Sequence, residues 1–190
     1  ELRNATHYCV ASVMETPVAG FPYDRFFINL YDDSIDYAEI CNETAQYNRE
    51  NNWWGTYAAV DCTAMGNMAQ AIQTELTSHQ SELQTIDYTQ VQQYCYGDYK
   101  NFSFDVIDFI SQLNGGNIPA SIQSSIDQAV IAKDCLDGKE YPLMTLKIDP
   151  DRFCGMGMYL PGKNINYTWD RYCQSSIAWY NAAGWNELQP

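Results

Sequence analysis

Apolar residues recur at three- and four-residue steps along much of this chain, and that spacing predicts helices. The clearest run is Tyr57, Val60, Ala64, Met68, Ile72 and Leu76, which predicts one amphipathic helix over about 56–79. Leu83, Ile86, Val91 and Cys95 continue the period in a second helix, closed by Gly97. The short link at 78–82 predicts that the two pair as an antiparallel helical hairpin. Before them, Asp33 or Ser34 caps a helix to about Asn51, with Ile35, Ala38, Cys41 and Ala45 on one face, ended by Trp53-Trp54-Gly55. After them, Ser103 caps a helix with Phe104, Ile107, Ile110 and Leu113 inward, stopped by Gly115-Gly116. Pro119 opens another, carrying Ile122, Ile126, Val130 and Lys133. A last helix over 169–182 buries Trp169, Cys173, Ile177 and Tyr180.

Strand signals are fewer. Tyr8, Val10 and Val13 alternate over 7–14, and Phe26-Phe27-Ile28 closes a loop punctuated by Pro17, Gly20 and Pro22. Residues 142–148 and 156–160 read as two strands joined by Asp149-Pro150-Asp151. No repeat or linker interrupts the chain. The expected fold is mainly α with a small β component, one domain over residues 1–190.

Cysteine usage adds a compartment. Seven cysteines are dispersed along the chain with no C-x-x-C pair and no Cys/His cluster, so no zinc, iron–sulfur or other metal site is expected. Dispersal of this kind predicts a disulfide-stapled domain. Cys9, Cys41, Cys62, Cys95, Cys135 and Cys154 are the bridge-formers, with Cys62–Cys95 closing the hairpin and Cys173 left on an apolar helix face. Four N-glycosylation sequons, at Asn4, Asn42, Asn101 and Asn166, exceed the roughly two that chance gives. No apolar run is long enough to span a bilayer. The expectation is a secreted, extracellular glycoprotein whose signal peptide has been removed.

Charge excludes partners. Lys+Arg number 10 against 24 Asp+Glu, a net charge of −14, and no Lys or Arg falls between 50 and 99. Nucleic acid and anionic membranes are therefore poor partners, since both are bound through cations. Catalytic signals are sparse. The two histidines, His7 and His79, are the imidazoles available to a thiol or hydroxyl nucleophile. Gly155-Met-Gly157 lacks the rest of a dinucleotide fingerprint, and Asp149-x-Asp151 lacks the rest of a calcium loop, so no cofactor is expected. Acidic clusters at 32–39, 134–140 and 149–151 could pair carboxylates for glycoside hydrolysis. Trp53 and Trp54, adjacent in a loop, could stack on a sugar ring or fill a partner's pocket.

These readings favour a non-enzymatic extracellular glycoprotein acting through protein or glycan contacts, with self-association through the odd cysteine as a further expectation. A secreted carboxylate-based glycoside hydrolase and a helical carrier of an apolar ligand stand as its rivals.

Overall fold

The computed structural model describes residues 2–31, 33–94, 103–136, 148–160 and 167–187. In chain order it contains β1 (Tyr8–Ala11), α1 (Tyr23–Phe26) running on as a 3-10 turn (Phe27–Tyr31), and α2 (Tyr37–Glu50). There follow β2 (Thr56–Asp61), α3 (Met65–Ser78), α4 (Gln80–Leu83), β3 (Phe104–Asp105) and α5 (Val106–Leu113). α6 (Ala120–Ala129), β4 (Val130–Cys135), β5 (Gly157–Met158), α7 (Tyr167–Ser176) and α8 (Ala178–Ala182) complete the described elements.

β2 is the centre of a three-stranded antiparallel sheet in the order β1-β2-β4. Cys9 opposes Val60 on one side, and Tyr57 opposes Asp134 on the other, with a bulge between Ala59 and Val60. Tyr57 and Ala59 pack with Cys41 and Ala45 of α2 on one face of the sheet. The larger core lies beyond the other face, where Met68 and Ile72 of α3 meet Ile122 and Ile126 of α6 and Phe109 of α5. Helices thus cover both faces of a sheet, and the architecture is α/β.

This corrects the mainly α, disulfide-stapled expectation. Residues 56–61 are a strand, because Thr56, Tyr57, Ala58 and Ala59 are all buried and a strand covered on both faces loses its alternation. The Asp61 carboxylate then accepts from the Thr63 amide (2.8 Å) and hydroxyl (2.6 Å), a turn that separates strand from helix. Among the described residues no second long helix follows over 84–94. α4 is four residues long, Tyr88–Gln90 is a 3-10 turn, and Gln93 bridges Phe104 as extended chain. The antiparallel hairpin is therefore absent. Cys62, just past β2, is a free thiol, and its expected bridge partner Cys95 lies outside the described residues. Cys9, Cys41 and Cys154 are free thiols too, so the disulfide framework does not hold. A buried thiol behaves as a small apolar group, which is how Cys41 is used.

Smaller corrections follow from capping. α2 starts at Asp36, whose side chain accepts from the Glu39 amide at 3.0 Å, rather than at Asp33 or Ser34. Asp105, not Ser103, caps α5, and α6 yields to β4 at the β-branched pair Val130-Ile131. Residues 26–28 are helical, not extended. The strand expected over 142–148 lies almost wholly outside the described residues.

Candidate functional site

Two places gather chemistry-bearing side chains. The first is an apolar groove of about 460 Å³ on the face of β1 and β2 away from α2. Alternation along the strands turns Cys9 and Ala11, then Ala58, Val60 and Cys62, toward it. Small residues leave the space: Gly66 and Ala69 of α3 and Ala178 of α8 approach without filling it. Trp179 closes one wall, its indole N–H donating to the Met65 carbonyl at 3.0 Å.

Two thiols therefore share the groove. The Cys62 amide donates to the His7 carbonyl at 2.7 Å, so His7 and Cys62 are joined through the backbone. Burial, then the neighbouring Cys9 and Asp61, pushes the Cys62 thiol up. Burial drives Cys41 to about 12 and holds Cys154 well above its ordinary range. Reactive cysteines have depressed values, and none of these three does. His7 is exposed, and His79 pairs with Glu75 at 3.2 Å.

The second place is a buried polar cluster that sequence reading missed. Asp105 is 0% exposed. One of its oxygens caps α5 by accepting from Ile107 and Asp108, both at 2.9 Å. The other accepts from the Cys154 amide at 2.8 Å and from the Tyr94 hydroxyl. Asp108, one turn on, accepts from the Gln92 amide at 2.6 Å and takes both arms of Arg152. The Gln92 side chain in turn accepts from the Asp149 amide at 2.8 Å. Burial pushes the Asp105 carboxyl up against the pull of these donors, and it pushes the Tyr94 hydroxyl up as well. The cluster ties the 90–94 segment, α5 and the 149–154 segment together. An Asp-x-x-Asp at a helix start was its one visible sign.

The residues singled out from sequence are otherwise dispersed. Trp53 packs edge-on to Tyr47 at 5.6 Å, and Trp54 donates to the Glu15 carbonyl at 2.9 Å, so both indoles fasten their loop to the body. Asn4 is exposed. Asn42 is exposed on α2, but the Thr44 hydroxyl of its sequon is buried and donates to the Ile40 carbonyl at 2.7 Å. Asn101 and Asn166 lie outside the described residues. Asp149 caps the 3-10 turn at Asp151 (3.0 Å), and Asp134 pairs with Arg49 at 3.0 Å. Cys135 and Cys173 are both buried, and no group of three metal-ligating side chains occurs among the described residues.

No known family profile and no curated relative matches the sequence. Solved structures do. A B. fragilis cysteine protease superposes with a TM-score of 0.79 at 19% identity, covering 97% of this chain and 80% of that one. A clostripain from Bacteroides thetaiotaomicron, in complex with a peptide inhibitor, gives 0.76 at 22%, over 96% and 78%. An inactive zymogen C11 protease from Parabacteroides distasonis gives 0.74 at 19%, covering 95% of this chain but 53% of that one. The chain thus has the C11 cysteine protease fold, and it spans about half the length of the zymogen. This overturns the reading as a non-enzymatic glycoprotein, and with it the glycoside hydrolase and the apolar carrier. Among the described residues no helix is long and apolar enough to cross a membrane.

Proposed function

We propose that the chain serves in peptide-bond hydrolysis, as the scaffold portion of a clostripain-like cysteine peptidase. The supporting observation is the likeness to C11 proteases over nearly the whole of this chain. Thiol peptidases need a thiolate and a base within hydrogen-bond reach. Cys41, Cys62 and Cys154 are instead held protonated, and His79 is paired with Glu75. In this proposal the nucleophile and base sit on a further segment of the protease fold, on the same polypeptide or another. That segment seats on the apolar groove and extends the sheet at β1, which pairs with β2 on one side only among the described residues. We place the protein outside the cell, as one neighbour is a secreted C11 protease.

The test uses the protein at its natural length. Thiol-dependent cleavage of fluorogenic peptides is expected, and a peptidyl acyloxymethyl ketone should label a cysteine other than Cys9, Cys41, Cys62 or Cys154. Absence of thiol-dependent cleavage overturns the peptidase reading. Labelling at Cys9 or Cys62 overturns the assignment of the groove to a docked segment.

A further inference from the structure

The helical stretch Tyr23–Tyr31 carries more apolar side chains outward than inward. Its inward positions are Phe26 and Asn29, the latter only 4% exposed, and Asp24 and Arg25 are exposed beside its outward apolar side chains. Its outward positions are Tyr23, Phe27 at 53%, Ile28 at 81%, Leu30 and Tyr31 at 73%. An ordinary surface helix reverses this arrangement. The inward polar residue has a local reason. The Asn29 side chain accepts from the Asp36 amide at 2.9 Å and donates to Glu39, which anchors the stretch to the start of α2. Of the outward residues, Tyr23 packs on Phe21 (6.2 Å) and Phe26 (5.6 Å), which leaves Phe27, Ile28 and Tyr31 as the exposed apolar face. Phe27 and Tyr31, at the two ends of the 3-10 turn, stack edge-on at 4.9 Å, and with the exposed Ile28 and Leu30 they form one apolar stripe.

Charge along the neighbouring sequence is one-sided. From 26 to 48 the sequence holds Asp32, Asp33, Asp36, Glu39 and Glu43, and no Lys or Arg. Asp24 adjoins Tyr23. The nearest cation, Arg25, is taken by Glu50 and lies 4.9 Å over the Tyr47 ring. An anionic membrane is repelled by such a rim, and so is a second copy of this chain. Aromatic side chains desolvated on docking are the usual centres of binding energy, and their faces also attract cations.

We propose that this stripe docks a cationic, amphipathic protein segment, its apolar side chains on Phe27, Ile28 and Tyr31 and its lysines or arginines on the carboxylate rim. The surface is separate from the groove at β1 and does not rest on the peptidase reading.

Calorimetry on the natural-length protein provides the test, with a synthetic amphipathic peptide of leucine and lysine as probe. Phe27→Ser with Ile28→Ser keeps the net charge and, at exposed positions, the fold, checked by circular dichroism. It should weaken binding about tenfold or more. Asp24→Asn with Asp33→Asn should weaken it about threefold and flatten its salt dependence. The proposal fails if the serine pair binds the peptide as the parent does, because attraction to net charge alone would then suffice. It fails equally if a leucine–glutamate peptide binds as well. Phosphatidylserine vesicle binding, or self-association in sedimentation, that disappears in the serine pair assigns the stripe to another occupant and overturns it.

Discussion

Replacing Asp105 with alanine removes four acceptor contacts at one point. Loss of the α5 cap costs about 1 kcal/mol. The Tyr94 hydroxyl and the Cys154 amide, both buried, are then left as donors without an acceptor, at about 1–3 kcal/mol each. Against this, the carboxylate is itself costly to bury, as its upward shift indicates, and alanine relieves that cost. The net expectation is a loss of about 3 kcal/mol, a large share of the roughly 5–15 kcal/mol that holds a domain together. Asp105→Asn discriminates the parts. Its amide oxygen can keep the cap, while its NH2 faces the Cys154 amide, so about 1–3 kcal/mol should go. Urea denaturation reads both variants, as a lower midpoint at unchanged slope. An alanine variant within 1 kcal/mol of the parent, or an asparagine variant less stable than the alanine one, would refute the assignment of Asp105 as the hub of the cluster.

Arg152→Met should cost about 2–3 kcal/mol, below the full value for a broken buried pair because Arg152 is 38% exposed while Asp108 is 6%. Adding Asp108→Asn should return part of that loss, and a double-mutant cycle by thermal melting with no coupling would contradict the pairing. Gly155→Ala should cost about 2–4 kcal/mol, since φ is +91° and the new methyl would lie 2.9 Å from Ala58 and Val130; a melt within error of the parent argues against it. At alkaline pH, Cys41 and Tyr57 are held protonated to about 12, while unfolded they lose their protons from 9.0 and 10.0. The unfolded chain therefore ionises first, and stability should fall by about 5 kcal/mol, roughly 3 from Cys41 and 2 from Tyr57, as pH rises from about 9 to 12. A Cys41→Ala, Tyr57→Phe variant should lose that share of the slope in pH-dependent denaturation, the raised Cys62, Tyr94 and Cys154 keeping the rest.

Much of the helical pattern was legible. Met68, Ile72 and Leu76 do face the core, as do Ile122 and Ile126. What misled was the strand fused to each run. Tyr57 and Val60 extend the spacing of α3 backward, and Val130 and Lys133 extend that of α6 forward, although both pairs belong to β2 and β4. A central strand flanked by helices is uniformly buried, so neither period-two alternation nor a polar face marks it. The dispersed cysteines pointed to bridges because burial and pairing leave the same trace in a sequence. Asp105 and Asp108 looked like ordinary helix-start acids, since nothing local reveals that Tyr94, Arg152 and Cys154 return to them from far along the chain.

The two margins of the sheet are not equally defended against wrong pairing. β4 carries Lys133 and Asp134 and faces a bulged neighbour, devices that discourage a stray strand from adding there. β1 reads Tyr-Cys-Val-Ala, with neither charge nor proline, beside an apolar hollow. Until that side is covered, it is the surface on which a nascent or unassembled chain would mispair.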